Sequence, residues 1–277
     1  MAKLGIKDGK TFTILGMGIS STTREQLLKE IRSNIDKKVF TKPLFIITAY
    51  SENLMECGRD GELKDAFRKA DWVVADGTSI LAAKEYLRLR TGNYLGDVIT
   101  GFETGWKVLK GEFNEQKIVG VKLAEKILEL SLVHGIKVFL LGGKDGAVET
   151  LRKKYGRALG FFEPEMGINL DDPKINKQLL LRINKFEPDV LLVGLGRFRQ
   201  EKWISKNLNQ LRTKIVIGVG SSFDELARVA EWSSPIPGWV EKLSLKWLWR
   251  GIRDPRNLRR AWNAFPVFAW KVYRSPK

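Results

Sequence analysis

Cysteine and histidine are almost missing from this sequence of 277 residues, which contains one of each, Cys57 and His134. A single cysteine excludes an internal disulfide and is typical of a reducing compartment. With so few such ligands, a zinc site built from histidine or cysteine is not expected. No apolar run approaches the roughly 20 residues of a membrane-spanning helix, and the first residues lack the apolar core of a secretory signal. These absences predict a cytoplasmic protein.

Acidic residues are too few to balance the basic ones. Lys and Arg total 48 against 32 Asp and Glu, a formal net charge of +16. Such an excess indicates an anionic partner: nucleic acid, an acidic membrane or a phosphorylated substrate. Half of it lies in residues 239–277, together with five of the nine tryptophans. We therefore divide the chain into a body, 1–238, and a C-terminal appendage, 239–277, whose basic and aromatic residues suit a membrane interface.

Apolar β-type runs alternate with helical patterns through the body, which predicts a Rossmann-like, mostly parallel α/β sheet with flanking helices. The predicted strands are 44–48, 72–75, 137–141, 189–193 and 214–218. The predicted helices are 51–70, 78–90, 121–134, 147–155, 173–186 and 200–211, with two more in the appendage at 243–253 and from 254 onward. Residues 91–116 contain five glycines and show poor periodicity. They are expected to form a long loop, either mobile near the site or an uninvolved surface excursion.

Neither a GxGxxG fingerprint nor a P-loop is present. Instead, four predicted strands end in glycine-bearing turns: Asp76-Gly77, Gly142-Gly143, Gly194-Leu-Gly196 and Gly218-Val-Gly220. One such turn is most simply explained by tight strand-to-helix packing. Four at the carboxyl edge of one sheet favour a phosphate-bearing ligand, because backbone N–H groups and helix N-termini can approach it there.

Asp76 is the candidate catalytic residue, because a carboxylate at that edge can act as a general base on a sugar hydroxyl. Asp is also a favoured N-cap, so capping the helix that begins near Thr78 is an equal alternative. Gln200 and Glu201 can bind sugar hydroxyls or a base edge, and the arginines beside them can neutralise phosphates. The alternative for this turn is a solvated helix start.

Taken in order, these motifs resemble the WecG/TagA/CpsF glycosyltransferases (glycosyltransferase family 26) from about Phe12 to Arg260. The matching elements are Ile47-Thr48, Ala75-Asp-Gly77, Val138-Phe-Leu-Leu-Gly-Gly143, Gly194-Leu-Gly-x-x-x-Gln-Glu201, Gly218-Val-Gly-x-x-Phe-Asp224 and Trp247-Leu-Trp-Arg250 with Asp254-Pro-x-x-x-x-Arg260. The resemblance implies inverting transfer from a UDP-sugar to a polyprenyl-diphosphate-linked sugar in cell-surface polysaccharide synthesis. It also implies no metal or cofactor, a peripheral position on the inner face of the cell membrane, and self-association of the body.

The resemblance also implies roles for particular residues. Asp76 matches the proposed base, and Thr48 and Gln200 match positions that contact substrate. The appendage arginines Arg250, Arg256 and Arg260 resemble residues thought to reach the diphosphate as the appendage closes over the site. The remaining substrate-binding candidates are Lys117, Gly142, Gly143, Gly194, Gly196, Glu201, Gly220, Phe223 and Asp224.

Departures from the family pattern cluster at presumed substrate positions. Tyr50 replaces an Asn, Lys122 an Asp, and Ser233 lies where an Arg is usual; the 91–116 insertion is also atypical. Because of these departures, the identities of the donor and acceptor sugars stay open. The activity itself could also be weaker than, or different from, that of the family. Two other functions stay open: a nucleic-acid-binding protein, which the charge favours but which leaves Asp76-Gly77 unexplained, and a catalytically silent membrane-bound scaffold of the same fold.

Overall fold

The computed structural model describes residues 11–39, 41–156, 159–165, 168–229, 237–243, 249 and 262–276. Its strands are β1 (Thr11–Ile14), β2 (Met17–Ser20), β3 (Leu44–Ala49), β4 (Trp72–Ala75), β5 (Val138–Gly142), β6 (Leu159–Phe162), β7 (Val190–Gly194) and β8 (Ile215–Gly218). The six strands β3 to β8 form one sheet in the order β4-β3-β8-β7-β5-β6, and every pair is parallel. The predicted Rossmann-like α/β class is confirmed.

The helices are α1 (Arg24–Ile35), α2 (Ser51–Glu56), α3 (Gly61–Lys69), α4 (Thr78–Leu89), α5 (Tyr94–Leu109), α6 (Gly120–His134), α7 (Ala147–Tyr155), α8 (Pro173–Phe186), α9 (Arg199–Asn207), α10 (Ser222–Ala227), α11 (Gly238–Lys242) and α12 (Phe268–Tyr273), the last continuing a π-helical turn at Asn263–Val267. Side chains alternate along each strand, so the sheet has a core on each face. Phe45 and Ile47 join the core beneath α3, α4 and α9, whereas Leu44 and Ile46 join the core beneath α1, α6 and α7. Within the described residues, no helix combines the length and apolarity that crossing a membrane requires.

The predicted single helix over 51–70 is wrong, because the chain breaks between α2 and α3. Asp60 has an extended backbone and its carboxylate accepts the Leu63 N–H at 3.0 Å, so it caps a new helix. A favourable N-cap can start a helix within a continuous apolar pattern. The apolar pattern alone does not show this interruption.

The loop predicted over 91–116 is also wrong, because residues 94–109 form α5. Asn93 caps it by accepting the Gly96 N–H at 2.6 Å, and Asp97 accepts the backbone N–H groups of Thr91 and Gly92. Buried Thr100, Thr104 and Val108 recur every fourth residue on one side, and α5 packs against α4. The buried residues of this segment have a regular helical spacing, although its glycine content is typical of a loop.

A short hairpin, β1–β2, is an element that the sequence patterns do not predict. Its two turn residues, Leu15 and Gly16, both have positive φ, 49° and 77°. This is the geometry of a tight hairpin turn, but leucine rarely occupies it. The hairpin covers the β4 edge of the sheet, where the Ser20 hydroxyl accepts the Val73 N–H at 3.2 Å.

The end of the chain packs onto the body. Phe268 and Val272 of α12 are buried in the same core as the helices that follow β3 and β4. The Arg90 guanidinium donates hydrogen bonds to the carbonyls of Ser275 and Pro276 at 2.9 and 2.7 Å. The end of the predicted appendage is thus fixed against α2 and α4.

Candidate active site

Five neighbouring strands end at one edge of the sheet, and the predicted site lies along this edge. The parallel register aligns Ala49 with Ala75 and Gly142 with Gly194. Gly218 is aligned with both Ile47 and Val193. The residues that follow these strand ends therefore come together and form the rim of the candidate site: Asp76, Tyr50, Gly220, Gly196 and Gly143. In open parallel sheets, ligands bind at this edge.

Asp76 is half-buried at the rim, immediately after β4. Its N–H donates to the Ala49 carbonyl at 3.0 Å, and its Oδ2 accepts the N–H of Gly120 at 3.0 Å. Gly120 is the first residue of α6, so the positive end of that helix stabilises the carboxylate. The N-cap residue of α4 is Gly77 rather than Asp76. This geometry places a fixed carboxylate where a substrate hydroxyl can approach it.

Gly120 does not stand out in the sequence, although its contacts explain why a glycine occupies the position. A Cβ on this residue would lie 3.0 Å from Asp76 Oδ2 and 3.2 Å from the Thr48 hydroxyl. The only local signal is a glycine three residues after Lys117. The backbone at Lys117 passes next to the end of β4, because the Ile118 N–H donates to the Ala75 carbonyl at 2.9 Å, and the Lys117 ammonium group donates to Asn114 Oδ1 at 2.8 Å.

Thr48 and Gln200 are held inside the protein. Thr48 has no exposed surface, and its hydroxyl donates to the Gly218 carbonyl at 2.9 Å, which ties β3 to β8. The Gln200 amide oxygen accepts the Gly220 N–H at 2.8 Å, and its nitrogen donates to Glu201 at 2.9 Å. In this conformation both side chains position the rim; direct contact of either with substrate stays a prediction.

Glu201 is 1% exposed, so the alternative of a solvated helix start does not fit this turn. Burial raises the pKa of its carboxyl to about 7, although the hydrogen bond from Gln200 opposes the rise. Among the described residues, its Oε2 has no hydrogen-bond partner. Nearby Cys57 is buried too, and burial, with the Glu201 charge, raises the pKa of its thiol to about 12. Burial and this raised pKa both favour the neutral thiol of Cys57.

The turn after β5 presents backbone N–H groups, but a carboxylate of the protein already binds two of them. Gly142, Gly143 and Gly146 all have positive φ. The Glu163 carboxylate accepts the N–H groups of Gly146 and Val148 at 2.8 and 3.2 Å. A phosphate at the start of α7 would have to compete with Glu163, a residue that no sequence motif marks. The predicted role of Gly142 and Gly143 in binding substrate remains a prediction.

The turns after β7 and β8 pack tightly against each other. A Cβ on Gly194 would lie 2.8 Å from both the Gly220 carbonyl and the Phe223 ring. Phe223 is fully buried beneath this turn. Asp224 is largely buried as well, and burial raises the pKa of its carboxyl while Lys144 opposes the rise. These two candidates, Phe223 and Asp224, lie below the rim.

The loop from Gly196 to Phe198 is constrained at both ends. Gly196 has φ +85°, and Phe198 has φ +65°, which is unusual for a bulky residue. Arg197 between them forms an ion pair with Glu52 of α2. This fixes the loop beside β3 and leaves Gly196 at the rim.

The departures from the family pattern and the appendage arginines have different positions. Lys122 is exposed on the first turn of α6. Tyr50 is the N-cap residue of α2, and its hydroxyl oxygen would lie 3.6 Å from a Cβ on Gly220, so this departure from the family pattern lies at the rim itself. The described ranges do not include Arg250, Arg256, Arg260 and Ser233. The predicted role of these arginines at the diphosphate therefore remains a prediction.

Comparison with known proteins gives a family for this geometry. The model of the glycosyl transferase WecG/TagA/CpsF family matches residues 12–109 and 100–277. The chain belongs to the WecG/TagA/CpsF family of glycosyl transferases. Similar relatives come from Staphylococcus aureus strains MW2, NCTC 8325 / PS 47 and COL, each named N-acetylglucosaminyldiphosphoundecaprenol N-acetyl-beta-D-mannosaminyltransferase. Each is 26% identical over 268 residues, covering 95% of this chain and 92% of the relative.

Membership makes this chain a glycosyltransferase and confirms the resemblance found in the sequence. The nucleic-acid-binding alternative has only the net charge in its favour, and it leaves Asp76-Gly77 unexplained, whereas a glycosyltransferase accounts for this motif. In the described residues, no group of three His, Cys, Asp or Glu side chains is arranged to hold a metal ion. Metal-independent transfer stays a prediction.

Proposed function

We propose that this enzyme transfers a sugar from a UDP-sugar to a hydroxyl of a sugar linked through diphosphate to a polyprenol, as a step in cell-surface polysaccharide synthesis. The observation that carries the proposal is the Asp76 carboxylate, held by the Gly120 N–H at the rim of a glycine-lined edge. The names of the Staphylococcus relatives support a diphosphoundecaprenol acceptor and an N-acetylmannosamine-like sugar. The donor sugar of this chain is left open between N-acetylmannosamine, glucose and a uronic acid.

In the proposed mechanism Asp76 takes the proton from the acceptor hydroxyl as its oxygen attacks the anomeric carbon. The bond from that carbon to the diphosphate oxygen breaks, and UDP leaves with the electron pair. One displacement inverts the anomeric configuration. Lys117 would supply a positive charge for a phosphate by releasing its hydrogen bond to Asn114, and the appendage arginines would supply more.

The direct test offers three UDP-sugars with N-acetylglucosaminyl-diphosphate-farnesol in the presence of EDTA. We expect one donor to give a product heavier by one sugar, with the anomeric configuration inverted in its NMR coupling constant. EDTA should leave the rate unchanged, since no step is assigned to a metal. Retained configuration, or turnover that depends on added Mg²⁺ or Mn²⁺, would contradict the mechanism.

We also propose that α5 contacts an anionic membrane surface. Leu95, Ile99, Phe102, Trp106 and Leu109, the outer stripe of α5, follow 4-3-4-3 spacing and are 44–77% exposed. A contiguous apolar stripe exposed on a protein surface marks an interaction site. An amphipathic helix of this kind lies in the plane of a membrane interface.

Cations beside the exposed tryptophans favour a bilayer as the partner of this stripe. Lys110 Nζ lies 5.7 Å from the centroid of the Trp106 ring, and the Arg274 guanidinium lies 5.7 Å from that of Trp270. Trp270 is also exposed, on the helix that packs against α4. Together with the net charge of +16, these cations suit anionic headgroups.

Vesicle sedimentation tests this assignment. We expect the double variant Phe102→Ser, Trp106→Ser to lose most binding to phosphatidylglycerol-containing vesicles. The matched control, Leu132→Ser with Val133→Ser, removes two exposed apolar residues of α6 and should bind normally. If the double variant instead converts a dimer into a monomer without lipid and still sediments with vesicles, the stripe is a contact between copies and the membrane assignment is wrong.

A further inference from the structure

A groove of about 470 Å³ lies between α4, α5 and the segment 262–273, on the side of the sheet where the C-terminal helix packs. Its walls are mostly apolar, including Ala82 and Ala83 on α4, Val108 on α5 and Phe265 before α12. This volume is within the range of sites that bind small ligands. None of the functions assigned above uses it.

Two glycines of α5 keep this groove open. Gly101 and Gly105 line it one turn apart in the middle of the helix. A Cβ on either residue would meet no atom within 4 Å. Glycine destabilises a helix relative to alanine, and close packing does not require it at either position. Their effect is to leave space.

Two buried hydroxyl groups line the groove. Tyr86 and Thr104 are 7% and 5% exposed and line the groove. Among the described residues, neither Tyr86 Oη nor Thr104 Oγ1 has a hydrogen-bond partner. Leaving a buried hydroxyl unsatisfied is costly, so such groups usually meet water or a ligand. The groove is therefore incomplete without an occupant.

One end of the groove lies close to the proposed base. It begins at Ser79, whose hydroxyl oxygen would lie 3.4 Å from a Cβ on Gly77, the residue after Asp76. Between Asp76 and the groove lies the N-terminus of α4, and its N-cap residue Gly77 has no side chain to cap the first turn. A helix N-terminus of this kind suits a phosphate group. The far end reaches exposed Tyr94 and Trp270, beside the outer stripe of α5.

We infer that the groove binds the isoprenoid chain of the acceptor, in the part nearest its diphosphate. The inference rests on the proposed function, which supplies a sugar, a diphosphate and a prenyl chain in that order. The sugar would lie at Asp76, the diphosphate at the start of α4, and the first isoprene units along Ser79, Ala83 and Tyr86. The chain would then leave past Trp270 towards the bilayer.

The test fills the groove with Gly101→Leu and Gly105→Leu and compares two acceptors. N-acetylglucosaminyl diphosphate is linked either to farnesol or to methanol. For the farnesyl acceptor we expect the wild-type KM to be lower than for the methyl acceptor, and each variant to raise it about tenfold or more. Kinetics with the methyl acceptor should stay unchanged, because that acceptor does not reach the groove.

The controls separate a filled groove from damage to the fold. Gly61→Leu places the same side chain in α3, where a Cβ also meets nothing within 4 Å, and it should leave both acceptors unaffected. Leucine is a better helix former than glycine, so the melting temperatures of the groove variants should be no lower than that of the wild type. Equal loss with both acceptors in a folded variant would overturn the inference.

Direct binding separates this inference from the proposed function. Isothermal titration with farnesyl diphosphate requires no sugar transfer. We expect binding to the wild type and to Gly61→Leu, and at least tenfold weaker binding to Gly105→Leu. Loss of that binding supports the groove even if no donor is ever transferred. Equal affinity in Gly105→Leu and wild type, or no binding to wild type, would overturn the assignment of the groove.

Discussion

Glycines at the sheet edge and glycines in α5 serve opposite purposes. At the edge, a Cβ on Gly142 would overlap the Gly194 carbonyl, and one on Gly120 would meet Asp76. In α5, a Cβ on Gly101 or Gly105 would meet nothing. The same residue type therefore allows two backbones to approach in the first region and leaves room for another molecule in the second. Substitution by alanine tells these two reasons apart.

Gly142→Ala should have the largest effect on stability. The residue combines φ +117° with direct contact to the Gly194 carbonyl, so a methyl group must displace the β5 or β7 turn. We expect the free energy of unfolding to fall by about 3 kcal/mol or more, measured in urea. Wild-type stability in this variant would show that the sheet edge is not closely packed, and the contrast between the edge glycines and the glycines of α5 would fail.

Glu201→Gln should change how stability depends on pH. Because burial raises the pKa of Glu201 from 4.5 to about 7, the folded protein keeps a proton over that range that the unfolded chain loses. The free energy of unfolding therefore falls as pH rises from about 4.5 to 7, by up to about 3 kcal/mol. The stability of Glu201→Gln should not fall over this pH range, and at pH 8 the variant should be more stable than the wild type. Exposed Glu103→Gln is the control and should follow the wild type.

Gly120→Ala should affect turnover more than folding. Its methyl group would lie 3.0 Å from Asp76 Oδ2, so the carboxylate must move by a few tenths of an ångström. We expect kcat to fall about 10- to 100-fold, since small displacements of a catalytic group are costly, while the melting temperature stays within a few degrees. Normal turnover would show that the position of Asp76 is not limiting.

Gly105→Ala should have the smallest effect and the opposite sign. Alanine removes the conformational freedom of glycine in a helix without a clash, so the free energy of unfolding should rise by about 0.5–1 kcal/mol. Chemical denaturation is sensitive enough to measure this. Destabilisation would indicate that the backbone of α5 requires glycine, and the contrast between the two regions would fail.

Local signals predict much of the fold. The predicted helix 173–186 has the observed bounds, because Asp172 caps it and Pro173 occupies its first turn. The β1–β2 hairpin has no such signal, because its turn contains leucine at positive φ. Helix α5 is concealed by its glycines, which are typical of loops, although the apolar spacing of its outer stripe is present in the sequence.

The convergence of the strand-end turns is predictable from the sequence, but the contacts within that edge are not. Parallel strands must end at a common edge, so the order of strands and turns along the chain is enough to place Asp76 and the glycine turns together. The burial of Thr48 and Gln200 depends on partners 170 and 20 residues away, Gly218 and Gly220. The contact of Gly120 with Asp76 is equally remote, at 44 residues. Such long-range contacts leave no periodic trace in the sequence.

The turnover number of Asp76→Asn, measured with the donor and acceptor that the wild type uses, tests the central claim most directly. Asparagine preserves an oxygen for the Gly120 N–H but cannot accept a proton from the acceptor hydroxyl. We predict a fall in kcat of about 10²- to 10⁴-fold with unchanged donor affinity and melting temperature, while exposed Asp65→Asn behaves as wild type. A folded Asp76→Asn enzyme with wild-type turnover would contradict the account.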